Sequence, residues 1–201
     1  MVKMNQEQVW DSIAESWNSF RQKPSEELKG LNWKKGKLLD VGCGNCRNIL
    51  PFKNLELYGV DFSKEMIKQA EKFCKKNNIK IDLRRSDMRK ISFDNSYFDY
   101  CLCIASLHHV SKEDADKVLK EIHRILKKNG ECLISVWNKY SRFTFRKKET
   151  YISWKKKDDI YYRYYRLYNY FELKRLLLKN NFKVIKYGKL FSRNITFLIQ
   201  K

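Results

Sequence analysis

Along this chain, short unbroken apolar runs alternate with stretches in which apolar residues recur at helical spacing. Residues 38–41 and 57–60 read as two short buried strands, about one helix length apart. Ser63 then offers a capping hydroxyl, with Met66, Ile67, Ala70 and Phe73 on one helical face. Residues 79–83 predict a third strand. Residues 100–104 predict a fourth, so continuously apolar that both of its faces must be covered. Ser111 opens a helix carrying Val118, Leu119, Ile122, Ile125 and Leu126, which Asn129 and Gly130 end before a strand at 132–137. A last helix at 170–179 leads into strands at 182–187 and 194–199.

Strands alternating with helices demand a mostly parallel sheet with right-handed crossovers. The expected fold class is therefore α/β, a doubly wound, Rossmann-like sheet of seven strands. Only residues 188–193 join the last two strands, too few for a crossover, so these two form an antiparallel hairpin. No repeat or linker composition interrupts the pattern, and residues 1–201 read as one domain with a helical segment at 5–31. There is no run of 18 apolar residues and no apolar signal core near the start, which predicts no membrane span and a cytoplasmic or nuclear protein.

Charge narrows the partners. Lys and Arg number 43 against 23 Asp and Glu, a net +20 that favours polyanions such as nucleic acid, although surface lysine is also ordinary solvated decoration. The excess is concentrated in residues 138–168, where ten basic and three acidic residues are interleaved with ten aromatics. Cations neutralise phosphates and aromatic faces stack on splayed bases, so this insertion suits a single-stranded RNA loop. The competing expectation is that its aromatics cover a sheet edge. Six cysteines are too few and too embedded in strands for a disulfide framework. A zinc site drawn from Cys43, Cys46, Cys101 and Cys103 competes with ordinary core packing, and packing is the expectation, with no metal.

The first strand ends in Asp40, Gly42, Cys43, Gly44 and Asn45, a turn that brings backbone close to a ligand at the switch point of a doubly wound sheet. Asp61 ends the second strand, placed to bond a ribose diol. A nicotinamide dinucleotide needs a third glycine, and Arg47 stands in that place. The turn, Asp61 with Phe62, and Ser86-Asp87-Met88 after the third strand together resemble the class I S-adenosylmethionine-dependent methyltransferases. That resemblance implies S-adenosylmethionine as cofactor, its methionine part against Asp40–Asn45, its ribose at Asp61 and Phe62, its adenine at Asp87 and Met88, with Ala105 after the fourth strand completing the site.

The two ends carry a narrower resemblance. VWDSIAESWNSFRQKP, residues 9–24, and RYYRLY, residues 163–168, are similar to motifs of the tRNA methyltransferases that esterify 5-carboxymethyluridine at the wobble position. Phe20, Ser25 and Ile195 depart from that family's Thr, Trp and Trp. The resemblance implies a tRNA anticodon loop as substrate, with Arg21, His109, Arg163 and Asn194 positioning it. It also implies a small zinc-binding activator protein as heterodimer partner, its strand added to the edge at Lys80–Arg84. His108 and His109 read equally as helix-entry residues. Arg21 or Arg163 is expected to orient the carboxylate, and either is equally suited to a phosphate or to the cofactor. A carboxylate is already anionic at neutral pH, so no general base is expected. A small-molecule methyltransferase and an inactive cofactor-binding RNA scaffold are the alternatives.

Overall fold

The computed structural model describes residues 5–140, 148–188 and 192–201. Among them are the helices α1 (Gln6–Ser19), α2 (Lys64–Lys76), α3 (Lys112–Ile125) and α4 (Tyr170–Lys179). The strands are β1 (Lys37–Val41), β2 (Glu56–Asp61), β3 (Asp82–Arg85), β4 (Phe98–Ile104), β5 (Leu126–Trp137), β6 (Glu149–Lys156), β7 (Asp159–Arg166), β8 (Lys183–Tyr187) and β9 (Asn194–Gln200). Seven of them form one sheet in the order β3-β2-β1-β4-β5-β9-β8, and β9 runs antiparallel between β5 and β8. This is the doubly wound sheet with a terminal hairpin that the alternating pattern predicts.

Side chains alternate across the sheet and both faces are covered. Leu38, Leu102 and Leu133 pack with Ile49, Ile67 and Ala70 on one face. Leu39, Cys101, Cys103 and Ile134 pack with Val118, Leu119 and Ile122 on the other. All six cysteines are buried free thiols, and among the described residues no group of His, Cys, Asp and Glu is placed to hold a metal. Ser63 and Ser111 cap α2 and α3 through bonds from Met66 N at 3.1 Å and Asp114 N at 3.2 Å. Asn169 and Glu172 form a reciprocal capping box on α4.

Several local expectations are corrected. The third strand lies at Asp82–Arg85 rather than 79–83, and Ile81 and Leu83 are half-buried against the core. Helix α3 stops at Ile125, and Leu126 turns extended to pair with Phe98. Its side chain is buried in either conformation, so helical spacing could not separate the two. The glycine turn feeds no α-helix. Cys46 adopts φ 63°, and a 3-10 segment follows over Arg47–Phe52, containing Pro51, which lacks an N–H and prevents helix continuation.

Within the basic insertion, β6 and β7 form a separate antiparallel ribbon turning at Lys157 and Asp158. Its inner face carries Trp154, Arg163 and Tyr165, and it packs on α1. Lys156 points inward too, its Nζ donating to Ser12 O at 2.5 Å. Residues 141–147 of the insertion lie outside the described residues.

Candidate active site

The carboxyl ends of β1 to β5 open into one cavity of about 680 Å³, closed by the start of α3, by α1 and by the β6–β7 ribbon. Gly42 and Gly44 are left-handed, with φ of 68° and 54°. A Cβ on Gly42 would lie 2.7 Å from Ser106 Cβ and Oγ, and one on Gly44 would lie 3.2 Å from the Trp17 ring. Only glycine passes this turn without strain or collision.

Asp61 fastens the turn. One carboxylate oxygen accepts from Gly44 N at 2.9 Å, and the other from Ser63 N at 3.0 Å. Burial pushes its carboxyl up to about 6, against the opposing pull of those N–H bonds. Asp87 faces the same cavity. Burial pushes it up as well, but the hydrogen bonds from Arg89 outweigh this and hold it below the usual carboxylate range. Phe62, Met88, Cys43 and Ala105 also line the cavity.

Two residues expected at the cofactor sit behind it. Asp40 is fully buried beneath the turn with Oδ2 unpartnered, and burial raises its carboxyl to about 7. Asn45 donates to Asn18 Oδ1 and to Arg21 O, both at 2.6 Å, tying the turn to the end of α1. Its short amide is consumed by these bonds, so it holds the site in shape rather than lining it.

The far half of the cavity is aromatic and cationic. Arg163 is 7% exposed, with its guanidinium 4.9 Å from the Trp154 ring, 5.5 Å from Tyr165 and 5.8 Å from Trp10. Its Nε has no hydrogen-bond partner, and among the described residues it makes no ion pair. His109 Nδ1 lies 2.9 Å from Tyr164 O. A carbonyl only accepts, so Nδ1 carries the proton and Nε2 remains an acceptor. Burial pushes this imidazole down to about 4. Arg21 lines the mouth, 6.0 Å from the Trp17 ring centroid.

His108 accepts from Trp137 N at 3.1 Å, which spends it on structure. Asn194 is also removed from the cavity wall, because half-buried Glu27 takes its Nδ2 together with the Ser25 and Ser135 hydroxyls. Trp10, Trp17, Trp154 and Tyr165 were not singled out from the sequence. Burial alternates strictly along residues 149–156 and places Trp154 on the inner face of the ribbon, but the adjacent pairs Tyr151-Ile152 and Lys155-Lys156 break that period in the sequence, so only the aromatic content was a signal.

Residues 39–134 match the family described as a methyltransferase domain. The chain is 30% identical over 161 residues to an Encephalitozoon cuniculi protein whose own methyltransferase assignment is provisional, covering 75% of this chain and 72% of that one. The chain belongs to the S-adenosylmethionine-dependent methyltransferases.

This methyltransferase is also 32% identical over 133 residues to tRNA (carboxymethyluridine(34)-5-O)-methyltransferase alkbh8 of Xenopus tropicalis, across 64% of the chain but only 20% of the frog protein. In architecture it is similar to the CcbJ methyltransferase of Streptomyces caelestis, with a TM-score of 0.79 at 12% identity over 98% of each chain. The residues fit the cofactor. The glycine turn leaves a cradle that a Cβ would fill, and each Asp61 oxygen, already taking one N–H, keeps a lone pair for a ribose hydroxyl.

Because that carboxylate titrates near 6 and the hydroxyls bond best to the anion, cofactor affinity should fall as the pH drops from 7.5 to 5. Calorimetry on Asp61→Asn should give weaker binding with little pH dependence; an unchanged wild-type affinity across this range would contradict the role.

Proposed function

We propose that this methyltransferase esterifies the carboxylate of 5-carboxymethyluridine at the wobble position of a tRNA anticodon. The observation that carries the reading is Arg163, a cation buried among three aromatic faces without a counter-ion among the described residues. Burying such a charge unpaired costs several kcal/mol, roughly what a bidentate carboxylate would recover. A substrate that brings its own anion completes the site.

The rest of the wall supports an anionic nucleophile. A hydroxyl or amine substrate would require a base, yet His109, held down to about 4, binds a proton poorly at neutral pH. Of the acids of the wall, Asp61 is committed to the turn, Asp87 and Asp114 to Arg89, and Glu149 to Arg166, while exposed Glu113 is held below the usual carboxylate range by its own backbone N–H and the Ser111 hydroxyl and is a weak base. S-adenosylmethionine supplies an electrophilic methyl on its sulfonium. The chain's part is then to orient the carboxylate through Arg163, pack the uracil between aromatic rings and exclude water. The basic and aromatic residues of the ribbon and the frog relative's stated activity support RNA as the carrier of that carboxylate.

Transfer should appear as a base-labile methyl ester in nucleoside mass spectrometry after incubation with carboxymethyluridine-containing tRNA, at a rate that with saturating cofactor is flat from pH 6.5 to 8.5. Esterification of small carboxylic acids with no reaction on tRNA would overturn the RNA reading.

The open edge of β3 supports a second proposal, a zinc-binding activator protein that adds a strand there. Its backbone is free on that side, although Arg84 folds across Phe93 at 4.0 Å and bonds Asp82. Co-expression should raise solubility and cofactor affinity; full activity of the isolated chain as a monomer would remove the need for such a partner.

A further inference from the structure

Phe20, at the carboxyl end of α1, is 72% exposed, the largest exposure of any aromatic side chain among the described residues. Its surroundings are rigid. The backbone of the segment is clamped from below by the Asn45 side chain, which bonds Asn18 and Arg21 on either side of it. Gln22 closes the same turn by donating to Asn18 O at 2.6 Å. The ring stands edge-on to Trp154 at 6.0 Å, and Trp154 is itself pinned through Nε1 to Ser16 Oγ at 2.9 Å.

Phe20 is thus the outer end of a continuous ladder. From it the rings and cations run inward through Trp154 to Arg163 at 4.9 Å and on to Tyr165 at 5.5 Å. Tyr165 stacks on Trp137 at 4.7 Å. The inner rungs enclose the target site. The outermost presents an apolar face to water just outside the cavity mouth, beside Arg21, which makes no ion pair among the described residues. A polynucleotide leaving the cavity would pass the Arg21 guanidinium and this exposed aromatic face.

We propose that Phe20 is a base-stacking residue that receives the nucleobase flanking the target nucleotide. The inference rests on RNA being the substrate and deepens that reading by naming how the strand is gripped outside the cavity. Phe20 is then a positioning residue: it fixes the neighbour so that the target base enters the cavity, and it touches neither cofactor nor carboxylate.

The test is a binding cycle read by fluorescence anisotropy, using an anticodon stem–loop with unmodified uridine at the target. Wild type, Phe20→Ala and Phe20→Tyr are each titrated with the intact loop and with loops abasic at one or the other neighbour. Stacking worth about 1–3 kcal/mol per base predicts roughly tenfold weaker binding for Phe20→Ala, with Phe20→Tyr near wild type. Loss of one flanking base should weaken wild type by a similar factor and add little in Phe20→Ala, while cofactor affinity stays unchanged. Additive losses at both neighbours, an unchanged Phe20→Ala affinity, or no wild-type binding to the loop would overturn the proposal. Because the readout is binding to unmodified RNA, a failure to form the methyl ester would sink the carboxymethyluridine reading without altering this cycle.

Discussion

The bend after β1 is the constraint on which the site depends. Two left-handed glycines let the chain turn, Asp61 takes the Gly44 N–H, and Asn45 carries the same turn across to α1. One short loop therefore joins the cofactor side of the cavity to the helix bearing Trp10, Trp17 and Phe20. A shift of this loop would move both walls at once. That coupling explains why the polar groups of Asn45 are all engaged: a buried amide with unmet bonds is expensive, and here each bond holds an element in register.

The second feature is a division of charge. The cofactor half is lined by carboxylates that the backbone and Arg89 hold in place, whereas in the far half Arg163 makes no ion pair among the described residues and Glu149 is taken by Arg166. Aromatic faces make this tolerable, because their π-electrons attract a guanidinium at about 0.5–2 kcal/mol each. They do not supply the directional acceptors that a carboxylate offers. The polarity of the cavity thus runs from an end suited to hydroxyl donors to an end suited to an anion, and a neutral imidazole lies between them.

Much of the architecture was legible in the residues. Unbroken apolar runs between stretches of period 3.6 place the seven sheet strands, the third of them displaced toward its carboxyl end, and Asp61 and Asp87 stand where strand ends must converge. Eleven of the residues expected at the site, from Arg21 to Arg163, line a single cavity. What was not legible came from long-range packing. Nothing local tells that Asn194 will be recruited by Glu27, or that Asn45 will face α1 instead of a ligand. The ribbon at 149–166 was read for its charge and aromatics, and neighbouring pairs such as Tyr151-Ile152 and Lys155-Lys156 mask its strand periodicity. Leu126 shows the limit of periodicity, since a residue buried at helical spacing is equally buried as the first residue of a strand.

In the proposed reaction the counter-ion of Arg163 is the substrate's carboxylate. This pairing is tested most directly by the affinities of wild type and Arg163→Gln for two anticodon stem–loops, one carrying carboxymethyluridine and the other its uncharged carbamoylmethyl analogue. A charge-assisted hydrogen bond is worth about 1.5–3 kcal/mol, so wild type should favour the acid by at least roughly tenfold, and the variant should bind both alike. A preference for the acid that survives in Arg163→Gln, or no preference in wild type, would contradict the account.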